Sequence, residues 1–154
     1  MAGEIEARLK ALGLVLPEVK ATVGSYVPYL HLGGQLFVSG QLPLKDGKIV
    51  VEGKLGADLD LSQGQEAARL CAINILAQAK AALGGLDAVT RVVKVTGFVA
   101  STPDFKDQPQ VINGASELFV EAFGDNGRHA RAAVGMASLP LGAVVEVEAI
   151  LEVA

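Results

Sequence analysis

The residues of this chain best suited to chemistry are an arginine with small neighbours and a cluster of acids that follows it. Arg131 lies in His129-Ala130-Arg131-Ala132-Ala133-Val134-Gly135, and the acids lie in Glu146-Val147-Glu148. Read as a strand, the first segment puts Arg131, Ala133 and Gly135 on one face by two-residue alternation. A planar guanidinium matches a carboxylate bidentately, and the two small side chains leave space beside it for a small anion. The closing segment sets Val145, Val147, Ala149, Leu151 and Val153 on one face, with Glu146, Glu148 and Glu152 on the other. A positioned glutamate can activate water as a general base. The spacing lets cation and acid meet across a sheet. The residues themselves therefore lead to a small anion pocket with an arginine anchor and an acid nearby.

The remaining candidates are weaker. Tyr26 sits in a Gly/Pro-flanked turn, where its ring can wall a ligand pocket and its hydroxyl can bond a ligand. Asn113 lies mid-helix beside Gly114; Asn is a mediocre helix former there, but it can reach into a cleft. Cys71 falls on an apolar helical stripe and reads as core. His31 and His129 are far apart, with no second ligand at a metal-binding spacing, so no metal site is expected. Gly33-Gly34 and Gly84-Gly85 match neither a phosphate loop nor a dinucleotide fingerprint and read as turns. There is no nucleophile elbow.

The elements that must position these residues follow from periodicity. Residues 3–12 read as a short amphipathic helix with Ile5, Leu9 and Leu12 inward, ended by Gly13. Tyr29 to His31 and Gln35 to Ser39 flank Gly33-Gly34 as a hairpin. Ser39-Gly40-Gln41-Leu42-Pro43 then reads as a loop with exposed amides, and Lys48 to Glu52 as a third short strand after an Asp46-Gly47 turn. Ser62, with Gln65 three residues on, forms a capping box for a helix. That helix carries Ala68, Cys71, Ala72, Ile75, Leu76, Ala79, Ala82 and Leu83 on one stripe and stops at Gly84-Gly85. Arg91 to Ser101 is a Val/Thr-rich strand. A second long helix starts near Pro109, turns Ile112, Ala115, Phe119, Ala122 and Phe123 inward, and ends at Gly124. Two helices with one apolar face each pack on one side of a sheet, which makes the chain an α+β two-layer domain. Residues 1–154 are expected to form one domain, with an N-terminal helical extension at about 1–16. The last strand adds Val144 and Ile150 to its acidic face, a mixed surface suited to a wet subunit interface.

Composition bounds the rest. The 154 residues are 51% hydrophobic and 19% charged, with mean hydropathy +0.41. No apolar run approaches the ~18–20 residues that span a bilayer, so the excess apolar surface is expected between subunits of an obligate homo-oligomer. A net charge of −4, a pI near 5.1, no Trp and few aromatics argue against a nucleic-acid surface. The acidic start and the single cysteine fit a chain without a signal peptide, in the cytoplasm.

Several segments, taken in order, resemble the RidA/YjgF family. They are Tyr26, Leu32-Gly33, Phe37-Val38-Ser39-Gly40-Gln41-Leu42-Pro43, Val93-Lys94-Val95-Thr96-Gly97-Phe98-Val99, Ala130-Arg131, Leu139-Pro140 and Val145-Glu146-Val147-Glu148-Ala149-Ile150. The resemblance runs from about Gly24 to the end. It implies a chorismate-mutase-like α+β fold with a mixed sheet and two long helices on one face, assembled as a homotrimer with ligand clefts between subunits. It also implies hydrolysis of reactive 2-imino or 2-enamino acids, such as 2-aminoacrylate, to 2-keto acids and ammonia, with no metal or organic cofactor. By position, Arg131 matches the residue that grips the substrate carboxylate and Glu146 the one that orients water. Tyr26, Ser39, Gly40 and Asn113 match pocket positions, and the backbone at Ala133 matches a ligand contact. The sequence departs from the family pattern at His129, where Pro is common, and at Ala132-Ala133, where a polar pair is common. The competing expectation is a non-catalytic trimer that binds small keto or amino acids. A structural role or RNA cleavage ranks lower, since no basic groove is legible.

Overall fold

In a computed structural model, residues 3–20 and 24–154 are described. The first element is helix α1 (Glu4–Ala11). It is followed by strands β1 (Tyr29–Leu32), β2 (Gln35–Gln41), β3 (Leu44–Lys45) and β4 (Lys48–Ile49). Helix α2 (Leu61–Leu83), strand β5 (Val89–Ala100), helix α3 (Gln108–Phe123), strand β6 (Ala130–Met136) and strand β7 (Val145–Val153) complete the order. The main sheet runs β1-β2-β7-β5-β6, and β5–β6 is its one parallel pair. A parallel pair needs a crossover, which α3 supplies. Both long helices cover the same face of this mixed sheet.

The helix stripes form as their periodicity demands. Ala68, Cys71, Ala72, Ile75, Leu76 and Ala79 of α2 are fully buried, and Ile112, Ala115 and Phe119 of α3 meet them over Val95, Val147 and Leu151. Cys71 is core, and burial pushes its thiol well above the ordinary range, with the Glu146 charge adding to the effect. Small residues let the layers close. A Cβ on Gly114 would strike the backbone of Gln65 on α2, so the two helices touch there main chain to side-chain-free main chain. Gly114→Ala is expected to push the helices apart and cost about 1–3 kcal/mol. The melting temperature should fall by roughly 3–10 °C, a shift that differential scanning calorimetry would register.

Several sequence expectations need correction. The capping box on α2 is built by Asp60 and Gln63, not Ser62 and Gln65: Asp60 accepts from the Gln63 amide at 2.9 Å and the Gln63 side chain accepts from the Asp60 amide at 3.0 Å. Both pairs have the three-residue spacing, and the earlier one wins because the extended Asp60 backbone precedes the first helical turn. The third short strand, expected over Lys48 to Glu52, is only Lys48–Ile49, and it pairs with Leu44–Lys45 in a separate two-stranded hairpin. Ser39 to Gln41 belong to β2 rather than to a loop. Leu12 is 42% exposed because α1 ends before it, and Val144 is fully buried rather than on the acidic face.

Among the described residues, no helix covers the other face of the sheet. Leu30, Phe37 and Ile150 lie in one cross-strand row there, and Val134, Phe98 and Glu146 in another. Among the described residues, no helix is long and apolar enough to cross a membrane.

Candidate functional site

Arg131 is opposite Val95 in the parallel β5–β6 pair, and Val95 is fully buried under the helices. Arg131 therefore projects on the helix-covered face, at the sheet edge that β6 forms. There its Nη1 donates to Asn113 Oδ1 at 2.8 Å and to Ser116 Oγ at 3.1 Å. Asn113 and Ser116 are three apart on α3, so one helix face presents both. Among the described residues no carboxylate pairs with Arg131 and no partner engages Nε or Nη2. That edge of the guanidinium is the fork that takes a carboxylate through two parallel N–H bonds. Arg131 opens into a groove of about 640 Å³ that Asn113, Ser116, Val120 and His129 also line, with Glu117, Glu121 and Arg128 on its walls as well.

The small neighbours of Arg131 serve packing instead of making this groove. Ala133 lies opposite Gly97, where a Cβ would collide with Ile112 of α3. Ala133 itself is half-buried against the core and does not line the groove. Small residues here admit the helix, and the space for an anion lies on the α3 side of Arg131.

Glu146 occupies the opposite face. It pairs with Phe98, one residue out of phase with the Gly97–Ala133 row. Side chains alternate along a strand, so within one chain the sheet separates Glu146 from Arg131. The expected meeting across the sheet does not occur in a single copy. Glu146 is half-buried, and burial followed by the neighbouring Glu148 charge raises its carboxyl above the ordinary range. A carboxylate so raised is a better proton acceptor in water activation.

The surroundings of Glu146 are shaped by a bulge. Val38 pairs with Ala149, but three residues on, Gln41 pairs with Val147, so one extra residue bends β2 at Ser39-Gly40. A Cβ on Gly40 would run into the Glu146 carboxylate. Ser39 donates to the Val27 carbonyl at 2.6 Å, fastening the Tyr26-bearing turn to the bulge. Tyr26 and Ser39 line a second hollow of about 420 Å³ with Phe37, Lys94, Thr96 and Glu148. The obstructed atom in a Gly40→Ala variant is the end of a flexible side chain, so the fold should survive while Glu146 is displaced. The expected result is a normal melt, with any turnover that uses Glu146 at least ~10-fold lower, read from steady-state kinetics.

The predicted residues thus fall into two groups on opposite faces of the sheet. Arg131 and Asn113 are on the helix-covered side, and Glu146 is on the other, beside Gly40 and the bulge to which the Tyr26 turn is fastened through Ser39. Sequence reasoning missed Ser116 and the use of His129. Their signals were present, since Ser116 is three residues beyond Asn113 on the helix and His129 two before Arg131. Among the described residues no group of three or more His, Cys, Asp or Glu side chains could hold a metal ion.

A five-stranded mixed sheet with both long helices on one face, and an arginine-centred groove at its edge, defines a chorismate-mutase-like α+β protein. Residues 6–153 match the family described as "YjgF/chorismate_mutase-like, putative endoribonuclease". The chain belongs to this RidA/YjgF family. It is 51% identical over 152 residues to Protein TCP17 of Trypanosoma cruzi, covering 98% of this chain and 95% of that one. The crystal structure of Atu1372 from Agrobacterium tumefaciens, a protein of unknown function, is 56% identical with a TM-score of 0.89, covering 97% of this chain and 91% of that one. E. coli TdcF, solved with bound serine, is 29% identical with a TM-score of 0.64, covering 87% of this chain and 92% of that one.

Proposed function

We propose that the protein hydrolyses reactive 2-imino and 2-enamino acids to 2-keto acids and ammonia in clefts between the copies of a homotrimer. The observation that carries this reading is the unpaired Nε–Nη2 edge of Arg131, held outward by Asn113 and Ser116. A small 2-imino acid offers a carboxylate to that fork and an electrophilic carbon next to it. Because the sheet separates Arg131 from Glu146, one copy's Arg131 half-site would face another's Glu146 half-site. The exposed apolar residues of the uncovered face, Leu30, Phe37 and Val134, supply surface for such an assembly. Glu146 then takes a proton from water as the hydroxide adds to the imine carbon, and passes it to the imine nitrogen. The resulting carbinolamine collapses as its hydroxyl proton moves through Glu146 to the amino group, so that the C–N bond breaks, ammonia leaves and the keto acid remains. The substrate hydrolyses unaided, so only a modest reduction of the barrier is asked of the protein.

The test is release of ammonia and keto acid from freshly generated 2-aminoacrylate or 2-iminobutyrate. Wild-type rates no better than those of Arg131→Ala would overturn the proposal. A second reading, binding without turnover, draws on TdcF having been solved with serine bound. Calorimetry that finds keto-acid binding in a protein without rate enhancement would favour it.

A further inference from the structure

His129 is fastened at both ring nitrogens. Nδ1 lies 2.6 Å from the Gly127 carbonyl, and Nε2 lies 2.9 Å from Ser116 Oγ. A carbonyl only accepts, so Nδ1 carries the proton and donates to Gly127. In the neutral ring Nε2 is then an acceptor, and the Ser116 hydroxyl must donate to it. That leaves the Ser116 lone pairs to accept from Arg131 Nη1 at 3.1 Å. The ring is clamped edge-on to Phe119, with centroids 5.8 Å apart at 87°. Gly127 is itself locked, because a Cβ there would strike the backbone of Phe119. Every donor in the chain from the Gly127 carbonyl to Arg131 has one direction.

We propose that His129 is a positioning residue that acts through Ser116 to set the Arg131 guanidinium for a substrate carboxylate. Without an acceptor at Nε2, a helical serine turns its hydroxyl toward the carbonyl four residues back, here that of Ile112, or toward Asn113 Oδ1. The second choice competes with Arg131 for the same oxygen. Burial, opposed by the Gly127 hydrogen bond and reinforced by the nearby Arg131 charge, lowers the imidazole's proton affinity, in keeping with the neutral, accepting ring that the hydrogen-bond geometry requires.

This rests on the reading of Arg131 as a carboxylate anchor, and the experiment separates the two. The probe is 2-oxobutanoate titrated calorimetrically into the full chain, alongside imine hydrolysis kinetics. His129→Phe, which keeps the ring packing, should weaken 2-oxobutanoate about 3- to 10-fold and raise KM by a similar factor with kcat less affected. His129→Gln, whose amide oxygen can stand in for Nε2, should restore most of the affinity. Ser116→Ala should reproduce the loss, and the double variant should be no worse than either single one. Imidazole ¹⁵N shifts of the wild type should report the Nδ1–H tautomer, a readout independent of how any variant folds. Wild-type affinity in His129→Phe, additive losses or an Nε2–H tautomer would overturn the relay while leaving the anchor standing. Equal binding by wild type and Arg131→Ala would overturn both.

Discussion

Arg131→Ala should weaken keto-acid binding and lower kcat/KM by about 30- to 3,000-fold, the range expected when one partner of a desolvated charge-assisted pair is removed. Arg131→Lys should recover little of it. An ammonium can reach Asn113 and Ser116, but it presents a point charge where two parallel N–H bonds are needed. The fold should be nearly indifferent to either change. Among the described residues Arg131 has no carboxylate partner, so its removal orphans no buried charge. Matching melts combined with a loss of calorimetric heat would place the effect at the ligand. A variant that binds 2-oxobutanoate like the wild type would mean that the groove beside α3 is not the carboxylate site.

Glu146→Gln should reduce turnover by ~10²- to 10⁴-fold, the usual contribution of a general base, while slightly stabilising the fold. The sign follows from linkage. Folding raises the Glu146 carboxyl's affinity for its proton through burial and the Glu148 charge. The favourable contribution is therefore present below the unfolded-state value and is lost as pH rises through the higher folded-state value. At neutral pH the ionised group is a cost that glutamine removes. The gain should stay below about 1 kcal/mol, since the group is half exposed and water screens it, and it should fade on acidification. Paired thermal melts at neutral and acidic pH test this directly. An unchanged rate in Glu146→Gln would remove it from the chemistry.

The separation of the two half-sites allows a stricter test. Arg131→Ala and Glu146→Gln are each expected to be strongly impaired alone. Refolded together in equal amounts, random assembly of the proposed trimer should leave about a quarter of the clefts combining an intact Arg131 with an intact Glu146. Partial recovery of activity is the expected outcome. No recovery would argue against clefts shared between copies.

Much of this molecule was legible before its structure. The stripes of α2 and α3 declared their buried faces through a period that any amphipathic helix must obey. The Gly33-Gly34 hairpin and the stop at Gly84 followed from local turn chemistry. The ordered motifs from Tyr26 to Ile150 were sufficient for the family, and they pointed to Arg131 as the cation to watch. Local rules failed where two signals of equal form competed, as at Asp60 and Ser62. They failed again at the third short strand, which stops at Ile49 instead of Glu52 because its ladder partner, Leu44–Lys45, is two residues long.

What only tertiary structure decided is which side of the sheet each functional group faces. Alternation tells which residues of one strand share a face, so Arg131 with Ala133, and Glu146 with Glu148, were readable in advance. The phase between two strands is different, because it depends on pairing register and on bulges such as the one at Ser39-Gly40. Those are set by non-local hydrogen bonds and by how α3 presses Ile112 over Gly97. A shift of one residue in register exchanges the faces. Sequence alone could therefore name an arginine and a glutamate, but only the register of β5 with β6 and β7 set them on opposite faces.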